Sequence, residues 1–230
     1  MIQKRFMEIC LSKDFAGAVE FQNEIKELLP GKPYESRIET VCGLDISYNK
    51  FSLTIYAAAA VYSFPNLSAI ENGTISSTAN FPYIPGLLAF REGPAVLQLV
   101  KTLKSKIDLF ILDGHGMAHP RGAGLASILG LLLNIPSIGC AKTKLVGQYK
   151  EPGQARGSVS SLRYRSSVIG KVLRSRSGVK PIFVSIGYKI DLDRAIEIIL
   201  KSCVDTRIAL PIRTAHHLAN MARQRGGQDQ

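Results

Sequence analysis

The stretch Ile107-Asp-Leu-Phe-Ile-Leu-Asp-Gly-His-Gly116 decides the fold. Its first six residues are almost continuously apolar, which is typical of a strand buried on both faces of a parallel sheet. Helices are predicted on either side, over residues 94–106 and 120–133, and a second short apolar strand follows at 136–140. Because strand–helix–strand order implies parallel strands with right-handed crossovers, this half of the sheet is expected to be parallel.

Residues 40–79 show a different pattern. Three long strands are predicted, over 41–48, 51–64 and 67–77, and only the short turns Asn49-Lys50 and Pro65-Asn66 separate them. Short turns between long strands imply an antiparallel meander. A further hairpin is expected at 159–164 and 168–174, followed by a strand at 182–185. The predicted fold class is therefore α/β, with a mixed sheet (antiparallel meander plus parallel strands) flanked by helices.

Three more helices complete the predicted fold. Residues 14–29 are amphipathic, with Asp14 as a candidate cap and Pro30 as the stop. Residues 191–203 and 214–223 are predicted to be helical, and the tail from about 225 is predicted to be disordered. Because no repeat or linker interrupts the pattern, residues 1–230 are interpreted as a single domain.

Composition narrows the class of protein. Apolar residues make up 46% of the 230 residues, which is enough for a sizeable core, and the formal net charge is +11. Such a charge favours a polyanionic partner, nucleic acid above all. The most apolar stretch, 125–141, is broken by Asn134 and Pro136, so no membrane span is expected. The four scattered cysteines indicate reduced thiols in a cytoplasmic protein and no zinc site.

Three acidic residues occupy positions where chemistry is expected. Asp45 lies inside the first strand, and Asp113 directly follows the strand 107–112. Glu92 follows the Tyr83 loop and is the second residue of the charged pair Arg91-Glu92. Each has an ordinary explanation: a solvated edge-strand residue, a turn or cap residue, or a solvated helix residue. Together, on separate elements at plausible positions along the top of the sheet, they predict an oxygen-rich site for Mg²⁺ or Mn²⁺. An ion held there could act on a scissile phosphate.

Basic residues accompany these acids. His119 and Arg121 lie where a helix is predicted to begin, which suits a phosphate. Lys142 follows a buried strand and could hold a phosphate oxygen, and His216 could act as a general acid or base. A core histidine, a solvated strand end and a surface histidine pair are the alternatives. The basic hairpin could follow a phosphate backbone, and it carries Arg163, Arg165, Lys171, Arg174, Arg176 and Lys180.

The segment Phe81-Pro-Tyr-Ile-Pro-Gly86 is predicted to be a stiff loop. Proline fixes its own φ and restricts the residue before it, so Pro82 and Pro85 present Tyr83 and Ile84 on a rigid frame. Tyr83 could insert between nucleic-acid bases. The alternative is an aromatic residue that only packs within a turn.

Five blocks of this sequence together resemble the endonuclease V family, from about Ala16 to about His216. They are Gly43-Leu-Asp-Ile-Ser47, Pro82-Tyr-Ile-Pro-Gly-Leu-Leu-Ala-Phe-Arg-Glu92, Asp113-Gly-His-Gly116, His119-Pro-Arg-Gly122 and Gly139-Cys-Ala-Lys142. The resemblance implies a ribonuclease H-like fold and a Mg²⁺-dependent nuclease that recognises hypoxanthine (deoxyinosine) in DNA. It implies cleavage at the second phosphodiester bond 3′ of the lesion, which leaves a 3′-hydroxyl and a 5′-phosphate. Some members act on inosine in RNA.

The resemblance also implies roles for individual residues. Asp45 and Asp113 correspond to metal ligands, Glu92 to a third acid that orients metal-bound water, and Lys142 and His216 to charge stabilisers. Tyr83 corresponds to the wedge that fills the gap left by the lesion base. The implied substrate-binding set is Tyr83, Ile84, Pro85, Gly86, Gly114, Gly116, His119 and Arg121. One departure is Gly187-Tyr188, where the family usually has Gly-His.

Alternative functions remain open from the sequence. An inosine-specific ribonuclease, a lesion-binding or RNA-binding module without cleavage, and a junction resolvase of the ribonuclease H-like class would each use parts of this pattern. A monomer is expected.

Overall fold

The computed structural model describes residues 1–29, 33–49 and 52–226, which form an eight-stranded sheet with helices on both faces. The strands are β1 (Thr40–Tyr48), β2 (Thr54–Ser63), β3 (Ala69–Thr78), β4 (Leu109–Leu112), β5 (Ser137–Ala141), β6 (Val159–Tyr164), β7 (Ser167–Leu173) and β8 (Ile182–Tyr188). The helices are α1 (Ile2–Ser12), α2 (Phe15–Lys26), α3 (Leu88–Val100), α4 (Leu125–Leu133), α5 (Leu192–Ser202) and α6 (Leu210–Gly226).

The sheet is mixed, as the sequence predicts. Its strand order is β3-β2-β1-β4-β5-β8-β7-β6. Strands β1 to β3 form the antiparallel meander, and β1, β4 and β5 are parallel neighbours. Strand β8 lies between β5 and β7 and is antiparallel to both. Every residue of β4 and β5 is buried, which explains why those strands are apolar apart from Ser137.

Two apolar cores lie on opposite faces of the sheet. Helices α1 to α4 cover one face, where phenylalanine rings pack with centroids 5.3 to 5.9 Å apart. Helices α5 and α6 cover the other face through fully buried residues such as Ile199 and Ile212. A third, small cluster of Leu162, Val172 and Phe183 supports the β6–β7 hairpin. Each such aliphatic or phenyl side chain stabilises the fold by about 1.5–3 kcal/mol.

The structure corrects the predicted start of one helix. Helix α3 begins at Leu88, so Pro94 lies inside it and not in the first turn. Proline removes one backbone donor from the helix. Burial of Ala89, Phe90, Val96 and Leu99 on both sides of Pro94 outweighs that loss. The earlier start places Glu92 on a rigid helix and not in a loop.

Two other helix predictions also differ. Helix α1 is absent from the sequence prediction, although Phe6, Ile9 and Cys10 form its buried face at helical spacing. Helix α4 begins at Leu125, because residues 119–124 form turns in which Gly122 adopts a φ of +70°. Hence His119 and Arg121 precede the helix and do not open it.

Some predictions fall outside the described residues: the helix stop at Pro30, part of the linker that follows it, the turn residue Lys50, and the tail at 227–230. Within the described part, α6 continues through Arg225. All four cysteines are buried free thiols, as predicted. The helices described here include none that is both long and apolar enough to cross a membrane.

Candidate active site

The register of the parallel strands places two carboxylates side by side. Leu44 of β1 pairs with Leu112 of β4, so Asp45, within β1, and Asp113, directly after the carboxyl end of β4, follow as neighbours. The backbone N–H of Asp113 donates to the Leu44 carbonyl at 3.2 Å. Asp45 is only 8% exposed, so it is not a solvated edge residue.

Helix α6 adds a histidine to this pair. The backbone of Pro211 passes so close to β1 that a Cβ at Gly43 would lie 2.1 Å from it, and only glycine permits this approach. As a result, Nδ1 of His216 lies 2.6 Å from Oδ2 of Asp45. One potential ligand atom from each of Asp45, Asp113 and His216 lies within 4.8 Å of the others, which makes these residues a candidate metal centre.

The tautomer of His216 is set by its other ring nitrogen. The amide of Asn220 lies 3.0 Å from Nε2, and Oδ1 of Asn220 accepts from the Ser47 hydroxyl at 2.7 Å. With Asn220 as the donor to Nε2, the ring proton lies on Nδ1 and faces Asp45. About half of the His216 side chain is exposed, so a substrate can reach it.

Glu92 is the third acid of the site. It is 6% exposed on α3, and burial, followed by the charge of Asp45, raises the pKa of its carboxyl to about 8. Burial, followed by the charge of Asp113, also raises the pKa of Asp45. Burial, followed by the charge of Glu92, raises the pKa of the nearby Tyr48 hydroxyl to about 12. Three carboxyls that oppose one another's ionisation form a site that fits a cation.

Lys142 supplies positive charge at the same place. It follows β5 directly, and its Nζ forms an ion pair with Oδ2 of Asp113. Its side chain is 40% exposed, so the ammonium group can reach a phosphate as well as the carboxylate. All five residues predicted to be catalytic therefore lie together around the central strands β1, β4 and β5.

The loop at 81–87 is held at its first end by a buried arginine. Arg91 is 6% exposed and donates to the carbonyls of Phe81 at 2.9 Å and Ser52 at 2.8 Å. Its guanidinium carbon lies 5.0 Å from the centroid of the Tyr48 ring. Arg91 therefore fixes the loop, whereas its neighbour Glu92 faces the acids.

The other end of the loop is held through one carbonyl. Gly86, at a φ of +81°, presents an oxygen to Nε2 of Gln22 at 3.1 Å, Nε2 of His119 at 3.0 Å and Nη2 of Arg121 at 2.7 Å. Gln22 is 1% exposed; it also donates to the Ala123 carbonyl and accepts from Nε of Arg121. Burial lowers the pKa of His119 to about 4. The tip residue Tyr83 stays 62% exposed on this rigid support.

A cavity of about 290 Å³ opens beside the loop. Its wall includes Tyr83, Ile84, Pro85, Gly86, Gly114 and His119 from the predicted substrate-binding set, and also His115 and residues 143–145. Among the described residues, Gly116 and Arg121 are not on this wall. Gly116 packs against the Ile186 carbonyl and donates to the Ser185 hydroxyl at 2.9 Å. Arg121 instead supports the loop, because its guanidinium donates to the Gly86 carbonyl and to Gln22.

Sequence reasoning missed several supporting residues. Asn220 follows His216 by one helical turn, a spacing that could have been noticed. Gln22, Tyr48 and the role of Arg91 had no local signal, because their partners are distant in sequence.

The structure corrects the predicted role of Arg174 and shows where the family departure at Tyr188 lies. Arg174, assigned to a phosphate-tracking hairpin, is 3% exposed and pairs with Glu151 at 2.7 Å, so its role is structural. Tyr188 lies opposite Ser137, the first residue of β5, whereas Asp113 directly follows Leu112, which pairs with Gly139 further along that strand. The Gly-Tyr departure therefore does not alter the candidate active site.

The chain matches a known family over most of its length. The family model described as Endonuclease V matches residues 22–217. The curated protein named Endonuclease V from Gloeobacter violaceus is 41% identical over 212 residues, which cover 90% of this chain and 85% of the relative.

Solved structures agree with this match. The endonuclease V from Streptomyces avermitilis superposes with a TM-score of 0.88 at 36% identity and covers 93% of this chain and 94% of its own. Endonuclease V from Ciona intestinalis, solved in complex with a 23mer DNA containing an inosine followed by a ribo-adenosine, gives a TM-score of 0.81 at 29% identity and covers 93% and 98% of the two chains.

Proposed function

Because the chain belongs to the endonuclease V family, we propose that it is a DNA repair endonuclease that recognises hypoxanthine in deoxyinosine and uses Mg²⁺ to cleave the second phosphodiester bond 3′ of the lesion, leaving a 3′-hydroxyl and a 5′-phosphate. The observation that carries this proposal is a juxtaposition. The centre formed by Asp45, Asp113 and His216 lies on the same side of the molecule as the rigid loop, which exposes Tyr83 beside a cavity.

The residues present fit a divalent ion. Asp45 and Asp113 would hold Mg²⁺, with Mn²⁺ as a substitute, and His216 would donate from Nδ1 to Asp45. When bound, the ion supplies Lewis-acid polarisation of the scissile phosphate and activation of water. It would also favour the ionised forms of Asp45 and Glu92, whose pKa values are raised by burial and, after that, by the charges of the neighbouring acids.

The chain's own residues divide the remaining work. Lys142, now paired with Asp113, can donate to a phosphate oxygen and stabilise the added negative charge. His216 is oriented by Asp45 and Asn220, and its exposed ring can move a proton at the leaving or attacking oxygen. Without the ion, the pKa of Glu92 is raised to about 8, so the carboxyl holds its proton near neutral pH. Once a cation favours the carboxylate form, Glu92 can orient the attacking water and accept a proton from it.

Recognition follows from the loop. Tyr83 is an exposed ring on a frame fixed at Phe81 and Gly86, so it can occupy the space that a displaced base leaves in the stack. The adjacent cavity of about 290 Å³ can enclose one purine and present backbone groups of Gly86 and Gly114 to its edge.

A second candidate is an inosine-specific ribonuclease. It is favoured by one observation on a relative, whose structure contains a ribo-adenosine directly after the inosine. A binding module without cleavage is disfavoured, because buried carboxylates next to a bound phosphate oppose binding unless a cation is present. The monomeric state and cytoplasmic location stay predictions.

One assay separates these functions. Inosine oligonucleotides, deoxy and ribo, single-stranded and double-stranded, are incubated with the protein with and without Mg²⁺. The proposal expects a nick in the deoxyinosine strand only with the ion, at the second bond 3′ of the lesion. Asp113→Asn should lose cleavage and keep lesion binding. Cleavage of the ribose substrates alone would establish the ribonuclease, and binding without cleavage would refute both enzymes.

A further inference from the structure

Strand β6 forms one edge of the sheet, and a groove of about 880 Å³ runs along it. We call it the edge groove. It is lined by residues 147–150, which follow the active-site strand β5, and by Ser160, Ser161, Arg163, Tyr164 and Arg165 of the β6 hairpin. It is separate from the cavity beside Tyr83.

The edge groove carries unbalanced positive charge. Lys150, Arg163 and Arg165 are exposed, and among the described residues none of them has an acidic partner. Two other cations of this hairpin are balanced, since Lys171 pairs with Asp193 and Arg174 with Glu151. Clustered unpaired cations repel one another and attract a polyanion.

Aromatic rings alternate with these cations. The guanidinium of Arg165 lies 5.4 Å from the centroid of the Tyr164 ring, and Nζ of Lys144 lies 5.8 Å from that of Tyr149. The Tyr149 ring packs edge-on against Phe183, with centroids 5.4 Å apart. Rings beside cations along a groove are the arrangement that binds a strand of bases and phosphates without reading its sequence.

The groove is rigid before anything binds. The backbone N–H of Gln148 donates to the Arg163 carbonyl at 2.7 Å, and the N–H of Arg163 donates to the Gln148 carbonyl at 2.9 Å. This pair of bonds fixes the 147–150 segment to β6. A preformed site loses less entropy on binding.

One short segment joins the groove to the active site. Lys142 contacts Asp113, residues 143–145 line the cavity beside Tyr83, and Gln148 to Lys150 line the edge groove. Lys144 belongs to the cavity wall and also lies over the ring of Tyr149. A strand that leaves the cavity along this segment enters the groove.

We propose that the edge groove binds the part of the nucleic-acid strand that flanks the lesion. Lys150, Arg163 and Arg165 contact its phosphates, and Tyr149 and Tyr164 contact its sugars and bases, independently of sequence. This inference rests on the proposed function for the identity of the lesion, but not for the binding of the flanking strand.

The test compares two matched double variants. Lys150→Gln with Arg163→Gln removes one lysine and one arginine from the groove. Lys101→Gln with Arg37→Gln removes the same charges from the end of α3 and from the segment before β1, away from the groove. Binding is measured by fluorescence anisotropy in EDTA, which withholds the metal, and the probes are single-stranded inosine oligonucleotides with about 15 or about 3 nucleotides on each side of the lesion.

The groove variant should bind the long probe more weakly and the short probe as the wild type does. Loss of two phosphate contacts makes the negative slope of log affinity against log salt less steep by about 1.4. The ratio of wild-type to variant affinity at about 50 mM salt should therefore shrink about sevenfold by about 200 mM. The control pair should behave like the wild type. Tyr164→Leu, which keeps every charge, should weaken only the long probe.

Three results would overturn the inference: wild-type affinity of the groove variant for the long probe, an equal loss with the control pair, or an equal loss on the short probe. The proposed function is tested separately. If the wild type cleaves no inosine strand with Mg²⁺, that function fails, but an undamaged long oligonucleotide still tests the groove. If short inosine strands are cleaved and the groove variant binds long ones normally, only the groove inference fails.

Discussion

Replacing Glu92 with glutamine removes a buried carboxyl whose pKa is raised from 4.5 to about 8. The native state holds this proton more tightly than the unfolded chain does. The stability that Glu92 contributes is therefore fully present below about pH 4.5 and is lost as pH rises through 8. The introduced amide has the shape of the protonated acid and has no proton to lose. The metal-free variant should accordingly be more stable than the wild type, and increasingly so at high pH.

The size of the effect follows from the two pKa values. Each unit of pKa difference corresponds to about 1.4 kcal/mol. Relative to strongly acidic solution, the gain of Glu92→Gln over the wild type in free energy of unfolding should be small at pH 4.5, about 2 kcal/mol at pH 6 and about 4 kcal/mol at pH 8.

Urea unfolding in EDTA at these three pH values measures the difference. Circular dichroism is the suitable signal, because the chain has no tryptophan. Glu27→Gln, at an exposed position, controls for the loss of one carboxylate. A difference between Glu92→Gln and the wild type that is constant with pH, or that falls as pH rises, would refute the view that Glu92 is held protonated by burial and by Asp45.

Three further predictions concern other parts of the site. Tyr83→Ala should weaken binding of an inosine strand about 5- to 150-fold by anisotropy, because one base–ring contact is worth about 1–3 kcal/mol. Gln22→Met should lower the free energy of unfolding in urea by about 2–3 kcal/mol and weaken inosine binding. The reason is that the carbonyls of Gly86 and Ala123 and Nε of Arg121 each lose their hydrogen bond to Gln22. Mg²⁺ should raise the Tm of the wild type but not that of Asp45→Asn, since only the wild type keeps the full ligand set.

Each of these has its own control. Tyr83→Phe keeps the ring and should bind like the wild type; equal losses for alanine on damaged and undamaged strands would exclude a wedge. Gln98→Met makes the same exchange at an exposed position of α3 and should leave stability unchanged. An equal Tm increase in Asp45→Asn would remove Asp45 from the metal centre.

The mixed sheet was predictable because its signals are local. The five catalytic candidates were chosen by residue type and by resemblance to the family, and their roles stay predictions. The apolar run 107–112 and the short turns of the meander identify strands wherever the rest of the chain lies. The start of α3 was not predictable in the same way, since the proline rule favours residue 94 and only tertiary burial of Ala89 and Phe90 overrides it.

The support of the loop could not be predicted either. Gln22 and Gly86 are 64 residues apart, and the hydrogen bond between them exists only once α2 packs beside the loop. The same holds for Arg174, whose residue type indicates a surface cation but whose partners place it in the interior.

The close approach of α6 to Gly43 has a consequence for the order of events during synthesis. His216 comes 171 residues after Asp45, and it reaches Asp45 only when α6 lies against β1. A nascent chain that already carries the three acids and the loop still lacks this helix. With His216 in its proposed role, nuclease activity would begin only after α6 has been synthesised and has packed against β1.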